Sequence, residues 1–201
     1  MDREAGGPER PEREGSEREP YGAVVGPGTV RIERLLPGPI ERVWAYLTDG
    51  EKRAKWLAGG KSELRVGGTA EFRFHHPDIS PEKEPPAKYR EFGGETVFYG
   101  TVTRCEPPHV LSCTWGPGDD ASEVTFELTP RGDDVLLVLT HRRLRSRGEM
   151  AEVAAGWHAH LGILIDRLEG REPRGFWTAH TRAEAEYAQR FVDAGAAAAD
   201  A

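Results

Sequence analysis

The stretch SEVTFELTPRGDDVLLVLTHRRLRSRGEMAEVAAGWHAHLGILIDRLEG, residues 122–170, decides the fold class. Its opening alternates: Val124, Phe126 and Leu128 fall on one side of a strand over Ser122–Thr129, between polar neighbours. Arg131-Gly132-Asp133-Asp134 reads as a turn, and Val135–Arg143 as the next strand. The apolar period then changes from two to 3.6. From about Gly148 to Leu168, the residues Val153, Trp157, Leu161, Leu164 and Leu168 make one apolar stripe, and Gly170 is the expected cap. Strands joined by so short a turn run antiparallel. A sheet with one apolar face needs a cover, and a helix with such a stripe supplies it.

Working back from there, Val110–Trp115 and Glu95–Cys105 read as further strands, separated by Glu106-Pro107-Pro108-His109, with Gly100 as a candidate bulge. Thr69–His75 alternates Ala70, Phe72 and Phe74 against Glu71, Arg73 and His75. With Lys61–Val66 it flanks Gly67-Gly68, a two-residue hairpin signal. Pro77–Gly94 is a charged, proline-rich loop, readable as a lid over a cavity or as a solvated insertion. Thr29–Leu36 is an expected first strand, ended by Pro37-Gly38-Pro39. Ile40, Val43, Trp44 and Leu47 then share one helical face, and Glu51–Leu57 forms a second short helix. Residues 1–28 are Glu, Arg, Gly and Pro in near alternation and are expected to be disordered. Residues 171–201 form an extension with one helix starting at Thr181, where Thr181 and Glu184 have capping-box spacing. Tyr187 and Phe191 are its apolar side, and an Ala/Gly tail from Asp193 is expected to fray. The fold class is therefore α+β: a curved antiparallel sheet wrapped around a long helix, over residues 29–170. The gap between sheet and helix is where a ligand would sit.

Composition excludes several classes. A formal charge of −7 with no basic block argues against nucleic acid, whose phosphates supply most of the affinity. No apolar run approaches the roughly 20 residues of a membrane span. Met1–Pro20 has no apolar segment, so no secretory signal is expected and the protein is placed in the cytoplasm. Cys105 and Cys113 then read as reduced packing groups. No GxxxxGK[ST], GxSxG, HExxH or CxxC motif is present.

A resemblance runs through the same segments. Ile32-Glu33-Arg34 through Pro39, Val43-Trp44, Leu47-Thr48-Asp49 and Trp56-Leu57 open it. Val66-Gly67-Gly68, Gly100 with Pro107-Pro108 and Leu111, Thr114-Trp115, and Val124–Leu128 follow in order, then Thr140-His141 and Gly156-Trp157 with Leu161, Leu164 and Gly170. Together they resemble the heat-shock-protein-90 ATPase activator homologue family, of the START-like (SRPBCC) superfamily. The resemblance implies the helix-grip, or Bet v-like, fold. It also implies a cavity of the kind that holds lipids, sterols, plant hormones or polyketides in that superfamily, and that a few members use as cyclases. The eukaryotic co-chaperone also carries a separate N-terminal domain that engages the chaperone; with about 28 polar residues before the domain here, that activity is not expected.

Trp115 from the sheet and Trp157 from the helix are the first candidates for lining a cavity. Phe72, Phe74, Tyr99, Phe126, Leu161 and Leu164 come next; each reads equally well as core. His141 is either a polar group at the cavity mouth or a structural tie. His160 lies near the apolar stripe; His158 lies further round, so the two cannot chelate one metal. His75 and His76 are adjacent on a strand and face opposite sides. No metal and no cofactor are expected. The leading expectation is non-catalytic binding of a small hydrophobic or amphipathic ligand. A cyclase- or hydrolase-like enzyme using His141 or Tyr99 is one alternative. A protein-interaction module, docking a chaperone, a transcription factor or a second copy through Phe176, Trp177, Tyr187 and Phe191, is the other.

Overall fold

The computed structural model describes residues 20–116, 118 and 120–197, with backbone only for 192–197. Seven antiparallel strands form one sheet. They are β1 (Ala23–Gly26), β2 (Thr29–Pro37), β3 (Thr69–Phe74), β4 (Thr96–Glu106), β5 (Val110–Trp115), β6 (Ser122–Arg131) and β7 (Asp134–Arg142). Their order across the sheet is β1-β2-β7-β6-β5-β4-β3. Helices α1 (Ile40–Thr48) and α2 (Gly50–Arg53) follow β2; α3 (His76–Ile79) follows β3; α4 (Arg147–Leu168) and α5 (Phe176–Ala197) end the chain. Among the described residues no helix is long and apolar enough to cross a membrane.

The helix-grip arrangement follows from two periodicities. β2 and β7 pair from Val30–His141 to Pro37–Asp134, and both strands alternate between buried and less buried positions. The buried rows face α4, which buries Trp157, Leu161, Leu164 and Leu168. The Ser146 hydroxyl caps α4 by accepting the Glu149 N–H. The other end closes at Gly170, in the left-handed region, with the Arg171 N–H on the Asp166 carbonyl. The Asp166 carboxylate, itself buried, accepts from Arg171 and Arg174 and holds the α4–α5 link against the helix.

The structure departs from the sequence expectations in several places; the second short helix, expected over Glu51–Leu57, spans Gly50–Arg53. Residues 61–66 form no strand. Their only ladder contact is a single bridge at Ser62. The buried Arg53 guanidinium gathers the Ala58, Gly59, Gly60 and Glu71 carbonyls and the Ser62 hydroxyl, which anchors the chain just before this stretch to β3. The chain does reverse at Gly67-Gly68, where the Gly68 N–H bonds the Arg65 carbonyl, and the two glycines also exchange backbone hydrogen bonds with Val102 of β4. The bulge in β4 lies between Val102 and Arg104, not at Gly100. At Gly100 a Cβ would meet the Thr114 carbonyl oxygen at 2.2 Å, so close strand approach explains that glycine.

The two ends also differ. Residues 23–26, expected to be disordered, form edge strand β1, while residues 1–19 lie outside the described residues. The Gly22 N–H donates to the Tyr187 hydroxyl, and Arg34 donates to the Pro20 carbonyl, so α5 and β2 hold this arm from both sides. α5 begins at Phe176, five residues before Thr181, and continues to Ala197 through part of the expected frayed tail; residues 198–201 lie outside the described residues. Its cap comes from the 77–94 loop: the Ser80 hydroxyl accepts the Phe176 N–H and the Glu82 carboxylate accepts the Thr178 N–H. A carboxylate there also opposes the positive end of the helix dipole. The same loop is tied to α5 by Tyr89 and Lys88 on Glu184.

Candidate functional site

Between α4 and the open end of the sheet lies a cavity of about 130 Å³. One wall is a helical stripe, Val153, Gly156, Trp157 and His160, at i, i+3, i+4 and i+7 spacing. The opposite wall is Phe74 and Trp115, and Leu57 closes one side. Half-buried Phe74, Trp115, Val153 and Gly156 form its mouth, while Trp157 and His160 are buried. Aromatic packing keeps the walls in place. The Trp115 ring lies 4.9 Å from Trp157 and 4.9 Å from Phe98, and Trp157 is 5.6 Å from Phe126.

Two histidines sit in this region with different commitments. Trp157 Nε1–H can only donate, and it donates to His141 Nδ1 at 2.9 Å. His141 therefore carries its proton on Nε2, which faces the Ser122 hydroxyl at 2.8 Å; that hydroxyl in turn donates to the Trp115 carbonyl. Burial pushes the His141 pKa down to about 3. Both ring nitrogens are thus used in a relay that locks Trp157 to the sheet. His160 Nδ1 lies 2.8 Å from the Trp56 carbonyl, so it is the protonated nitrogen and the ring is a neutral Nδ1–H tautomer. Burial, with His76 nearby, holds its pKa at about 3.

Behind His160 lies an aromatic cluster that the sequence reading did not single out. His76 is 5.7 Å from His160 and 4.6 Å from Phe176, and Trp177 and His180 complete the group. His76 stands at the start of α3, not on a strand, and is buried; His75 is half-exposed and pairs with Asp78. Burial lowers the His76 pKa to about 4 and that of His180 in the same direction.

This architecture, a seven-stranded antiparallel sheet gripping one long helix, agrees with a family model. Residues 37–169 match the model described as Activator of Hsp90 ATPase homolog 1-like protein. The chain belongs to that family. Among solved structures, a Bordetella parapertussis protein determined by solution NMR is 48% identical, covering 86% of this chain and 91% of its own, with a TM-score of 0.74. CalU16 from Micromonospora echinospora, as a crystal structure, is 23% identical over 81% of this chain and 87% of its own, at a TM-score of 0.58. Protein NE0264 from Nitrosomonas europaea is 18% identical over 73% and 95%, at 0.56. The last two show likeness of fold alone. No curated protein matches.

Within this family fold, four of the residues expected to line a cavity come together: Trp115, Trp157, Phe74 and His160. Phe72 and Phe126 line a second gap of about 10 Å³, room for no more than one water. Leu161 and Leu164 are fully buried and line neither space. Tyr99 is misplaced by the sequence reading. It pairs with Glu71 on the outer face and is 59% exposed, while its neighbour Phe98 pairs with Phe72 on the inner face. All of Val97-Phe98-Tyr99 is apolar, so alternation gives no parity there; the downstream pair Gly100 and Val102 would have given it. Neither His141 nor Tyr99 lines this cavity. His158 lies on another side of α4, 3.0 Å from Arg34 and stacked on Tyr21. Phe176, Trp177, Tyr187 and Phe191 are buried in the chain's own core, so the aromatic side of α5 is not a free docking face. Among the described residues, no group of three His, Cys, Asp or Glu has metal-binding geometry.

Proposed function

We propose that this protein binds a small apolar molecule, about one aromatic ring in size, between α4 and the sheet, without transforming it. The observation that carries this is the cavity of about 130 Å³ with one polar residue in its lining, His160. Pockets for drug-sized ligands run from about 300 to 1,000 Å³, whereas an apolar cavity of about 150 Å³ takes up benzene. Lipids and sterols are larger than that space. No lining residue is a hydroxyl or thiol nucleophile, which supports carriage over catalysis. The free thiols Cys105 and Cys113, the latter pushed up by burial to about 12, fit a reducing cytoplasmic setting.

Gly156 supports the same reading. It interrupts the middle of α4, where glycine destabilises by roughly 0.5–1 kcal/mol relative to alanine. Beyond its chain neighbours and the backbone of its own helix, no atom lies within 4 Å of where its Cβ would be, so packing does not explain it. Its missing side chain is open cavity. Toluene titrated into the protein should perturb Trp115 and Trp157 fluorescence saturably. Gly156→Leu should fold, with an unchanged circular dichroism spectrum, and lose that binding. Absence of a saturable toluene response in the native protein, or equal binding by Gly156→Leu, would overturn the reading.

A further inference from the structure

We infer that the ligand carries a hydrogen-bond donor on its ring, a phenolic hydroxyl or equivalent N–H, and that His160 Nε2 accepts it. This rests on the cavity reading above and adds the chemical class. The Nδ1–H is spent on the Trp56 carbonyl, which leaves Nε2 as a bare lone pair. Nε2 has no partner among the described residues. It also differs from the neighbouring Nδ1 atoms of His76 and His180, which are sealed in without partners. His160 lines the cavity, so its lone pair is the one acceptor that side chains offer there.

The spacing suits a single ring. Gly156 and His160 are one helical turn apart on the same face, about 6 Å along the axis. A ring resting over the Gly156 backbone, against the Trp115–Trp157 pair, carries a hydroxyl that reaches Nε2. Burial, with His76 and His180 nearby, keeps the acceptor neutral, and the Phe74 and Phe176 rings pack close to it. A charged donor such as an alkylammonium is excluded by the apolar walls, which offer no carboxylate.

The test compares phenol with toluene, two molecules of nearly the same shape, by NMR titration of the full chain. Phenol should bind the native protein at least as tightly as toluene, and the Nε2 resonance of His160 should move with phenol and not with toluene. In His160→Leu, phenol should lose about tenfold in affinity, from an unpaired buried hydroxyl, while toluene changes less than about threefold. Toluene binding without phenol binding, or a phenol affinity indifferent to His160→Leu, would overturn this inference and leave the cavity reading standing. Failure of both probes would overturn both. The native-protein Nε2 shift needs no variant, so the inference remains falsifiable if His160→Leu does not fold.

Discussion

Acidification from about pH 7.5 to 5.5 attacks this fold through its histidines. His76 is held at a pKa of about 4, and His141, His158 and His160 at about 3, each chiefly by burial. Charged neighbours add to it, His180 and His75 for His76, His76 and His180 for His160, and Arg34, Arg174 and Arg182 for His158, while backbone hydrogen bonds at Phe92 and Trp56 act the other way on His76 and His160. In the unfolded chain each titrates near 6.5. Below that value the unfolded chain binds protons that the folded one refuses, so stability is complete above it and falls as pH drops toward 4. At pH 5.5 each group costs about 1.4 kcal/mol, and the four together about 6 kcal/mol. That equals a large part of the roughly 5–15 kcal/mol that holds a domain together. The salt-bridged carboxylate Asp166 has a lowered pKa, so its stabilisation is complete at neutral pH and is lost only in the more acid carboxylate range; the window just below 6.5 belongs to histidine. Urea unfolding followed by tryptophan fluorescence, at half-unit pH steps, should show stability falling by about 5 kcal/mol per pH unit below pH 6. A loss under about 2 kcal/mol between pH 7.5 and 5.5, or NMR titration of these rings near 6.5, would refute the reasoning.

Two further outcomes follow from single contacts. Trp157→Phe removes the donor to His141 Nδ1 and leaves that nitrogen buried and unpaired, so unfolding free energy should fall by about 1–3 kcal/mol, measured by urea denaturation. Tyr187→Phe removes the hydroxyl that accepts the Gly22 N–H; stability should fall by about 1 kcal/mol, and hydrogen exchange should speed up in residues 22–26 ahead of the rest of the sheet.

Local pattern carried most of the architecture. The shift from period two in β6 and β7 to period 3.6 in α4 is a property of adjacent residues, and it specifies the sheet, the covering helix and the faces they bury. Trp115, Phe74, Trp157 and His160 were legible as cavity candidates for the same reason: each lies on an inward face of a periodic element. Where neighbours do not constrain a residue, local reading fails. Three apolar residues in succession leave the parity of Phe98 and Tyr99 open, and only pairing with β3 decides it. The start of α5 depends on Ser80 and Glu82, 96 residues away from the N–H groups they cap, so the nearer Thr181 signal is overridden. β1 exists because Tyr187 and Arg34 engage the arm beside it. The sequence by itself determined the elements and their buried faces, because those depend on periodicity within a few residues. Only the tertiary structure decided the size of the cavity, the committed state of His141 and the bare nitrogen of His160, because each depends on atoms brought together from distant parts of the chain.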